Sequence, residues 1–204
     1  MALGLTITAN SVSRKRLDNM SLITNSYGKP DPKQFNDQYN HKYFCELVQG
    51  DVSNDVRQEN SVAVTAGTWL PTGSIAYINA NKQGVAGIGE NSATKVTIPQ
   101  IVYVGTEHGN VFSEKFNSGC GLITTHPLTT NCDYMTTVFD AAASYEVGTM
   151  LTAKEIDFDG KKVFAVTPAA EGETVIGIVR AVPAMHHLGV KGIVFSAYFR
   201  PAVA

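Results

Sequence analysis

The sequence predicts an all-β protein, built as a sandwich or as barrel-like β domains behind an extended, irregular N-terminal arm. Its 204 residues contain 21 Val, 19 Thr and 12 Ile but only 10 Leu. β-branched side chains lose rotamer freedom in helices and fit a pleated sheet, so this composition favours strands. After residue 43, short apolar runs alternate with turn residues such as Gly and Pro. That spacing is typical of a sandwich or a barrel.

Residues 1–43 form the predicted arm. The stretch 8–43 is rich in Asn, Asp, Ser, Lys and Pro and has no helical or strand period, but it carries four aromatic residues: Tyr27, Phe35, Tyr39 and Tyr43. Proline fixes φ and removes a hydrogen-bond donor, so the segment is not expected to build its own core. Two interpretations stay open. The segment is either a loop that covers its own domain or an arm that lies across a neighbouring subunit.

The body, residues 44–204, begins with a series of predicted strands. They are the runs 44–49, 62–66, 75–79, 95–104, 111–116 and 122–125. Pro99 interrupts the fourth run, which suits an edge strand or a bulge. A polar stretch at 126–135 is the best internal boundary and would divide the body into two smaller β units. Residues 137–145 are the only helix that the sequence predicts.

The last seventy residues carry the clearest strand signals. Asp159-Gly160 fits a two-residue hairpin turn, because this pair tolerates positive φ. The turn would pair Ile156 with Val163 on one face and Asp157 with Lys162 on the other. The runs 174–182 and 190–199 follow and are almost continuously apolar. Such strands are buried on both faces, either within the domain or at a subunit interface.

Charge and apolar run length exclude several partners. The chain has 16 basic and 18 acidic residues, and this net charge of −2 gives no overall footprint for nucleic acid. Residues 1–45 hold six basic and three acidic side chains, whereas the remainder holds ten and fifteen. No apolar run approaches the roughly 20 residues that a membrane-spanning helix needs. The basic cluster at 14–16 follows the first apolar stretch, which is the wrong order for a secretory signal. We expect synthesis in the cytoplasm and neither nucleic acid nor a membrane as partner.

The strongest candidate for a metal site is the set Cys120, His126 and Cys132. These residues are six apart, and His108 or Asp133 would supply a fourth ligand. Thiolate and imidazole suit zinc, but structural zinc normally uses short Cys-x-x-Cys loops, which this chain lacks. The odd number of cysteines at wide spacing also argues against a disulfide framework. The sequence therefore predicts no metal ligands, although it leaves open whether the three residues come together.

Two other motifs are candidates for a catalytic thiol and for a calcium-binding loop. Cys120 lies between two glycines, and a nucleophilic thiol there would need His108 or His126 as a base and a third, orienting group that the sequence does not supply. The acidic series at 155–159 matches the first half of a calcium loop, but Val166 stands where that loop needs a glutamate. Neither motif predicts a catalytic, cofactor-binding or metal-binding residue.

One C-terminal pattern resembles a known family. Residues 147–152 read VGTMLT, residues 162–167 read KVFAVT, and residues 169–179 read AAEGETVIGIV. This series resembles the small β-rich decoration, or cement, proteins of tailed-bacteriophage capsids. The resemblance implies a non-enzymatic virion protein on the capsid exterior, where it binds the major capsid protein and copies of itself and stabilises contacts between capsomers.

Two alternatives stay open beside that function. The first is another β-rich virion component, such as a tail-tube, head–tail connector or receptor-contacting protein. The second is a cysteine hydrolase on an unrelated β scaffold.

Overall fold

The computed structural model describes residues 43–49, 60–64, 69–92, 94–106, 122–129, 132–158, 160–185 and 190–202. The chain divides into two compact units, Met1–Asn40 and His41–Ala204, and all of these residues belong to the second. They contain eleven strands and no helix: β1 (Cys45–Gln49), β2 (Asn60–Val64), β3 (Ile75–Ile78), β4 (Gln83–Ala86), β5 (Gln100–Val104), β6 (Leu122–Pro127), β7 (Asp133–Thr136), β8 (Met150–Phe158), β9 (Lys161–Pro168), β10 (Val175–Met185) and β11 (Lys191–Arg200). The all-β prediction is confirmed. Residues 1–42 of the predicted arm and the predicted strand at 111–116 lie outside the described residues, whereas Tyr43, the last residue of the predicted arm, is buried in the body.

Strands β2 to β6 form a closed barrel in the order β2-β4-β3-β5-β6. All neighbours are antiparallel except β2 and β4, which run parallel. Small and branched apolar side chains fill the interior: Val64, Leu70, Ala76, Val102 and Ile123. Gly84 on β4 leaves room for Ile123, because a Cβ on Gly84 would lie 2.8 Å from the end of that side chain. Closure removes the free edges that an open sheet of this size would expose.

The remaining strands form a six-stranded sheet in the order β1-β7-β11-β10-β8-β9. The β8–β9 hairpin pairs Ile156 with Val163 and Asp157 with Lys162, so the predicted register is confirmed. Gly160 in its turn has a φ of +76°, and the Asp157 carboxylate accepts a hydrogen bond from the Gly160 N–H at 2.9 Å. The acidic series is therefore part of a hairpin, as the alternating pattern indicates.

The barrel and the six-stranded sheet share the largest core. Ile75 and Ile101 point out of the barrel and are fully buried in this core, together with side chains from the six-stranded sheet such as Tyr134 and Phe195. The chain leaves the barrel at the end of β6 and enters the six-stranded sheet at β7. β1 precedes the barrel in the chain and pairs with β7 at one edge of the six-stranded sheet. Both sheets belong to one compact unit, and a division of the body near 126–135 stays a prediction.

A turn of the barrel approaches β7 very closely at Gly73. The Gly73 φ is +87°, and a Cβ at this position would lie 2.7 Å from the Phe44 carbonyl oxygen and still closer to Thr136 Oγ1. The Thr136 hydroxyl donates to the Gly73 carbonyl at 2.9 Å and accepts the Val138 N–H at 3.0 Å. Glycine is thus required both by the backbone angle and by the space.

The predicted helix at 137–145 is wrong. Residues 138–140 run beside the outer edge of β9, where the Asp140 N–H donates to the Val166 carbonyl at 2.9 Å and the Val166 N–H donates to the Val138 carbonyl at 3.1 Å. The Tyr145 hydroxyl donates to the Asp140 carbonyl at 2.9 Å. These bonds satisfy backbone groups that a helix would use internally, and they cover an edge strand that would otherwise be open.

Strand bounds differ from the sequence prediction in three places. Residues 94–99 are not a strand, because a turn joins Ser92 to Lys95 and Pro99 lies directly before β5. β4 lies in a glycine-rich stretch that the sequence did not identify as a strand. β7 overlaps the polar stretch 126–135, which is the predicted boundary. Its side chains are buried because β7 pairs with β1 and β11, two strands that are distant in sequence.

The close approach at Gly73 predicts a large effect of a single methyl group. We expect Gly73→Ala to lower the free energy of unfolding by about 3 kcal/mol, since it adds steric overlap to an unfavourable φ. Gly172→Ala is the matched control, because Gly172 has a φ of +81° but no heavy atom within 4 Å of an added Cβ. That control should lose only about 1 kcal/mol in urea unfolding. Equal losses for the two variants would contradict the packing argument.

The turn before β10 predicts a weak acid sensitivity. The Ala170 N–H bonds to Glu173 Oε2 at 2.8 Å, and Lys154 Nζ lies 2.9 Å from Oε1. The backbone bond first, and then the Lys154 bond, lower the pKa of Glu173. A lowered folded-state pKa stabilises the fold above the unfolded pKa and loses that stabilisation as the pH falls through the folded value.

We therefore expect Glu173→Gln to reduce stability at pH 7 by about 0.5 kcal/mol, a small effect because the site is partly solvated, and by less at pH 3. Urea unfolding at the two pH values measures this difference. Glu171→Gln on the same turn is the control for removing an exposed carboxylate that makes neither of these two bonds. A Glu173→Gln effect that is as large at pH 3 as at pH 7 would contradict the assignment.

Candidate functional site

The metal candidate does not assemble within the described part of the chain. His126 and Cys132 are both buried, whereas Cys120 and His108 lie outside the described residues. No group of three or more His, Cys, Asp or Glu side chains that would hold a metal occurs among the residues with described positions. Asp133 is engaged elsewhere: its Oδ1 accepts a hydrogen bond from the Ser196 hydroxyl at 2.5 Å, and its Oδ2 lies 3.8 Å from Arg180 Nε.

His126 instead belongs to a buried aromatic cluster between the barrel and the sheet, which we call the junction cluster: Tyr103, His126 and Tyr134. The His126 ring is 1% exposed and stacks on Tyr103, with centroids 4.5 Å apart and planes 12° apart. On its other side the Tyr134 hydroxyl lies 3.4 Å from His126 Nδ1. β5, β6 and β7 supply one residue each, so the cluster ties the barrel to the six-stranded sheet.

Burial fixes the protonation state of the groups around the cluster. Burial first, and then the nearby Cys132 thiol, raise the pKa of Tyr134, so its hydroxyl stays protonated. Burial, with a smaller effect of Glu46, also raises the pKa of the Cys45 thiol. Because the thiolate is the nucleophile, Cys45 is unreactive at neutral pH. These groups pack and hydrogen-bond, and their environment does not activate them for catalysis.

The two described cysteines are free and do not bond to each other. Cys45 pairs with Thr136 on β7, and Cys132 lies four residues before Thr136 in the chain. At about 3.3 Å per strand residue this separates the two cysteines by roughly 13 Å, well beyond the reach of a disulfide. Sequence reasoning identified His126 and Cys132 as ligand candidates but missed Tyr103 and Tyr134, whose proximity depends on strand pairing.

The most distinctive surface feature is the second half of β10. Residues 175–179 are largely buried, as the apolar pattern predicts, but residues 180–185 are mostly exposed. Val182 is 44% exposed and Met185 is 70% exposed. We call residues 180–185 the β10 strip. The alternative of burial at a subunit interface therefore stays open for this half of the strand.

A second exposed apolar segment precedes β5 on the barrel. Val96 is 55% exposed and Ile98 is 45% exposed, while Thr97 between them packs on Gly89. Alternation in this extended segment thus places two apolar side chains in solvent. The β10 strip and this segment present apolar surface on different sheets of the molecule.

The buried thiols give a test of the site's chemistry. We expect Cys45 and Cys132 to react with a maleimide at least about 100-fold more slowly than in the unfolded chain, because the native state must open before they are reached. Peptide mapping after timed labelling at pH 7 measures each cysteine separately, and urea-unfolded protein is the reference. Rapid labelling of Cys45 in the native protein would contradict its assignment as a buried, protonated thiol.

Two further comparisons concern membrane-spanning segments and similarity to other proteins. No helix within the described ranges is long and apolar enough to cross a membrane. Comparison with protein-family models, with curated proteins and with solved structures gives no match for this chain.

Proposed function

We propose that this chain is a structural protein of a virion that binds the outer surface of a tailed-phage capsid and stabilises the contacts between capsomers. One observation carries the proposal. The body exposes apolar side chains at two separate places, the β10 strip on the six-stranded sheet and residues 96–98 before the barrel strand β5. A protein that holds neighbouring subunits together needs at least two contact surfaces, and apolar area buried at each contributes about 25 cal/mol per Å².

The energetics of this role suit many weak contacts. Each copy that touches several shell proteins adds a modest interface, and the shell's repetition multiplies such contacts through avidity. Low charge also favours this use, since charged residues are depleted at the centres of interfaces. With a net charge of −2 over 204 residues, the chain has little self-repulsion to overcome when copies gather on one surface.

Residues 1–43 supply a further contact in this proposal. Residues 1–42 lie outside the described residues, whereas Tyr43 is buried in the body against Trp69 and Phe158. The composition of residues 1–42, with Tyr27, Phe35 and Tyr39 and an excess of basic over acidic side chains, suits a segment that orders against a partner. Its partners are the major capsid protein and other copies of this chain, and it works at the capsid exterior after synthesis in the host cytoplasm. The proposed role includes no enzymatic step, cofactor, nucleic acid or membrane.

The other function classes differ from this one in copy number and in chemistry. A tail-tube protein, a connector or a receptor-contacting protein would be present in far fewer copies than the major capsid protein. A cysteine hydrolase would need a reactive thiol. Burial makes Cys45 unsuitable, and Cys120, the candidate nucleophile in the sequence, lies outside the described residues. No described contact favours these alternatives over the capsid-binding role.

Quantitative mass spectrometry of purified particles tests the proposal. We expect a copy number of the same order as that of the major capsid protein in particles from cells expressing the full chain, and a reduced copy number when residues 1–43 are deleted. Circular dichroism of the purified truncated protein is the control that its body has folded. A few copies per particle would indicate a connector or tail component, and absence from particles would overturn the proposal. Unchanged occupancy after the deletion would exclude a role for residues 1–43.

A further inference from the structure

β10 extends beyond the strand that pairs with one of its edges. On the β11 side, its pairing continues to Met185, which lies opposite Lys191. On the β8 side, the ladder ends with Ile178 opposite Met150, and the last backbone bonds join Val179 to the Gly148–Thr149 peptides. No described strand pairs with this side of the β10 strip. Among the described residues, the six residues of the β10 strip thus have no strand beside this edge, which lies next to the Glu146–Val147 turn, and five of the six are exposed.

Exposed apolar side chains lie at both ends of this edge and between them. At one end Val147 is 70% exposed, and at the other end Met185 is also 70% exposed. Val182 lies between them and is 44% exposed. Apolar side chains that are exposed close together form a patch, and such patches mark interaction surfaces, unlike single scattered residues.

The charges at the two ends have opposite sign. Exposed Glu146 adjoins Val147, and Asp133 and Arg180 at the same end offset each other, with Arg180 Nε 3.8 Å from Asp133 Oδ2. Exposed Lys191 lies across from Met185 at the other end. The edge thus has an acidic end and a basic end.

We propose that the β10 strip binds the same strip of a second copy of this chain in an antiparallel, two-fold arrangement. An antiparallel pair brings the basic end of each copy to the acidic end of the other. Met185 of each copy then packs on the partner's Val147, and Lys191 of each copy lies near the partner's Glu146. A two-fold axis repeats both contacts, as an isologous dimer requires.

The contact relies mainly on side chains. Pro183 lies in the middle of the strip and has no N–H, so a continuous ladder of backbone bonds between the two copies is interrupted there. β10 also carries irregular register against β11 between Val179 and Ala184, which twists the edge. Both features limit indefinite edge-to-edge aggregation and favour a reversible dimer.

This inference deepens the proposed function, since it names the surface through which a capsid-binding protein would contact its own copies. It is nevertheless measured on the purified protein alone. A chain that dimerises but does not bind to particles would contradict the proposed capsid role and support the dimer contact. A chain that stays monomeric but binds to particles would support the capsid role and contradict the dimer contact.

Sedimentation velocity of the full chain over a range of concentrations tests the contact. We expect a reversible dimer, at least about tenfold weaker in Met185→Lys because a charge replaces buried apolar area. Val48→Lys is the matched control, because Val48 on β1 is an apolar side chain that is 52% exposed and lies outside both proposed contact surfaces, and it should leave the dimer unchanged. Circular dichroism and the melting temperature establish that both variants are folded.

A charge exchange tests the antiparallel geometry. Glu146→Lys and Lys191→Glu should each weaken the dimer about two- to fivefold, and the double variant should restore it, because the exchange re-creates the opposite-charge pair across the two-fold axis. A wild-type chain that stays monomeric at the highest concentration would overturn the proposal. Equal loss in Val48→Lys and Met185→Lys would also overturn it, and failure of the double variant to recover would overturn the antiparallel arrangement.

Discussion

Strands β3 and β5 bury side chains on both of their faces, and the packing of the barrel against the sheet depends on this. On β3, Ala76 points into the barrel while Ile75 points into the core shared with the six-stranded sheet. On β5, Val102 and Ile101 divide in the same way. Because side chains alternate along a strand, a one-residue slip of either strand would exchange the two sets and disturb both cores. The fold therefore holds these two strands to one register from both sides.

The junction between barrel and sheet contains polar as well as apolar side chains, because the close packing of the two sheets buries backbone and side-chain polar groups. Buried backbone and side-chain polar groups at the junction need partners, and nearby side chains provide them. The Thr136 hydroxyl serves the Gly73 carbonyl and the Val138 N–H, and the Tyr134 hydroxyl lies within reach of His126. His126 and Cys132, two of the candidate ligands in the sequence, are thus part of the packing between the two sheets.

The accuracy of the sequence prediction depends on whether the determining contacts are local. The β8–β9 register was predictable, since Asp159-Gly160 fixes the turn and alternation fixes the rest. The strand β7 was not, because its four residues are stabilised by β1 and β11, which lie far away in the chain. The segment 138–140 follows the same logic: the exposed edge of β9 supplies backbone partners that no helical propensity at these positions reveals.

The site shows the same limit more sharply. In the sequence, His126 and Cys132 are weak candidates for metal ligands, and residue type and spacing reveal nothing of the packing in which the structure places them. The stacking of His126 on Tyr103 depends on β5 and β6 being neighbours, and its contact with Tyr134 depends on how the two sheets pack. Neither relation has a signature in the spacing of residues along the chain.

β10 unites the two uses that this molecule makes of apolar strands. Its first half, from Val175 to Val179, has the sheet on both sides and is almost entirely buried. Its second half is also mostly apolar, apart from Arg180, yet β8 no longer lies beside it, and Val182 and Met185 are exposed. Internal folding already satisfies the first half, so stability alone gives no reason to continue the apolar pattern into the second. In the proposed dimer a second copy buries this half, and the opposite charges of Glu146 and Lys191 fit that arrangement.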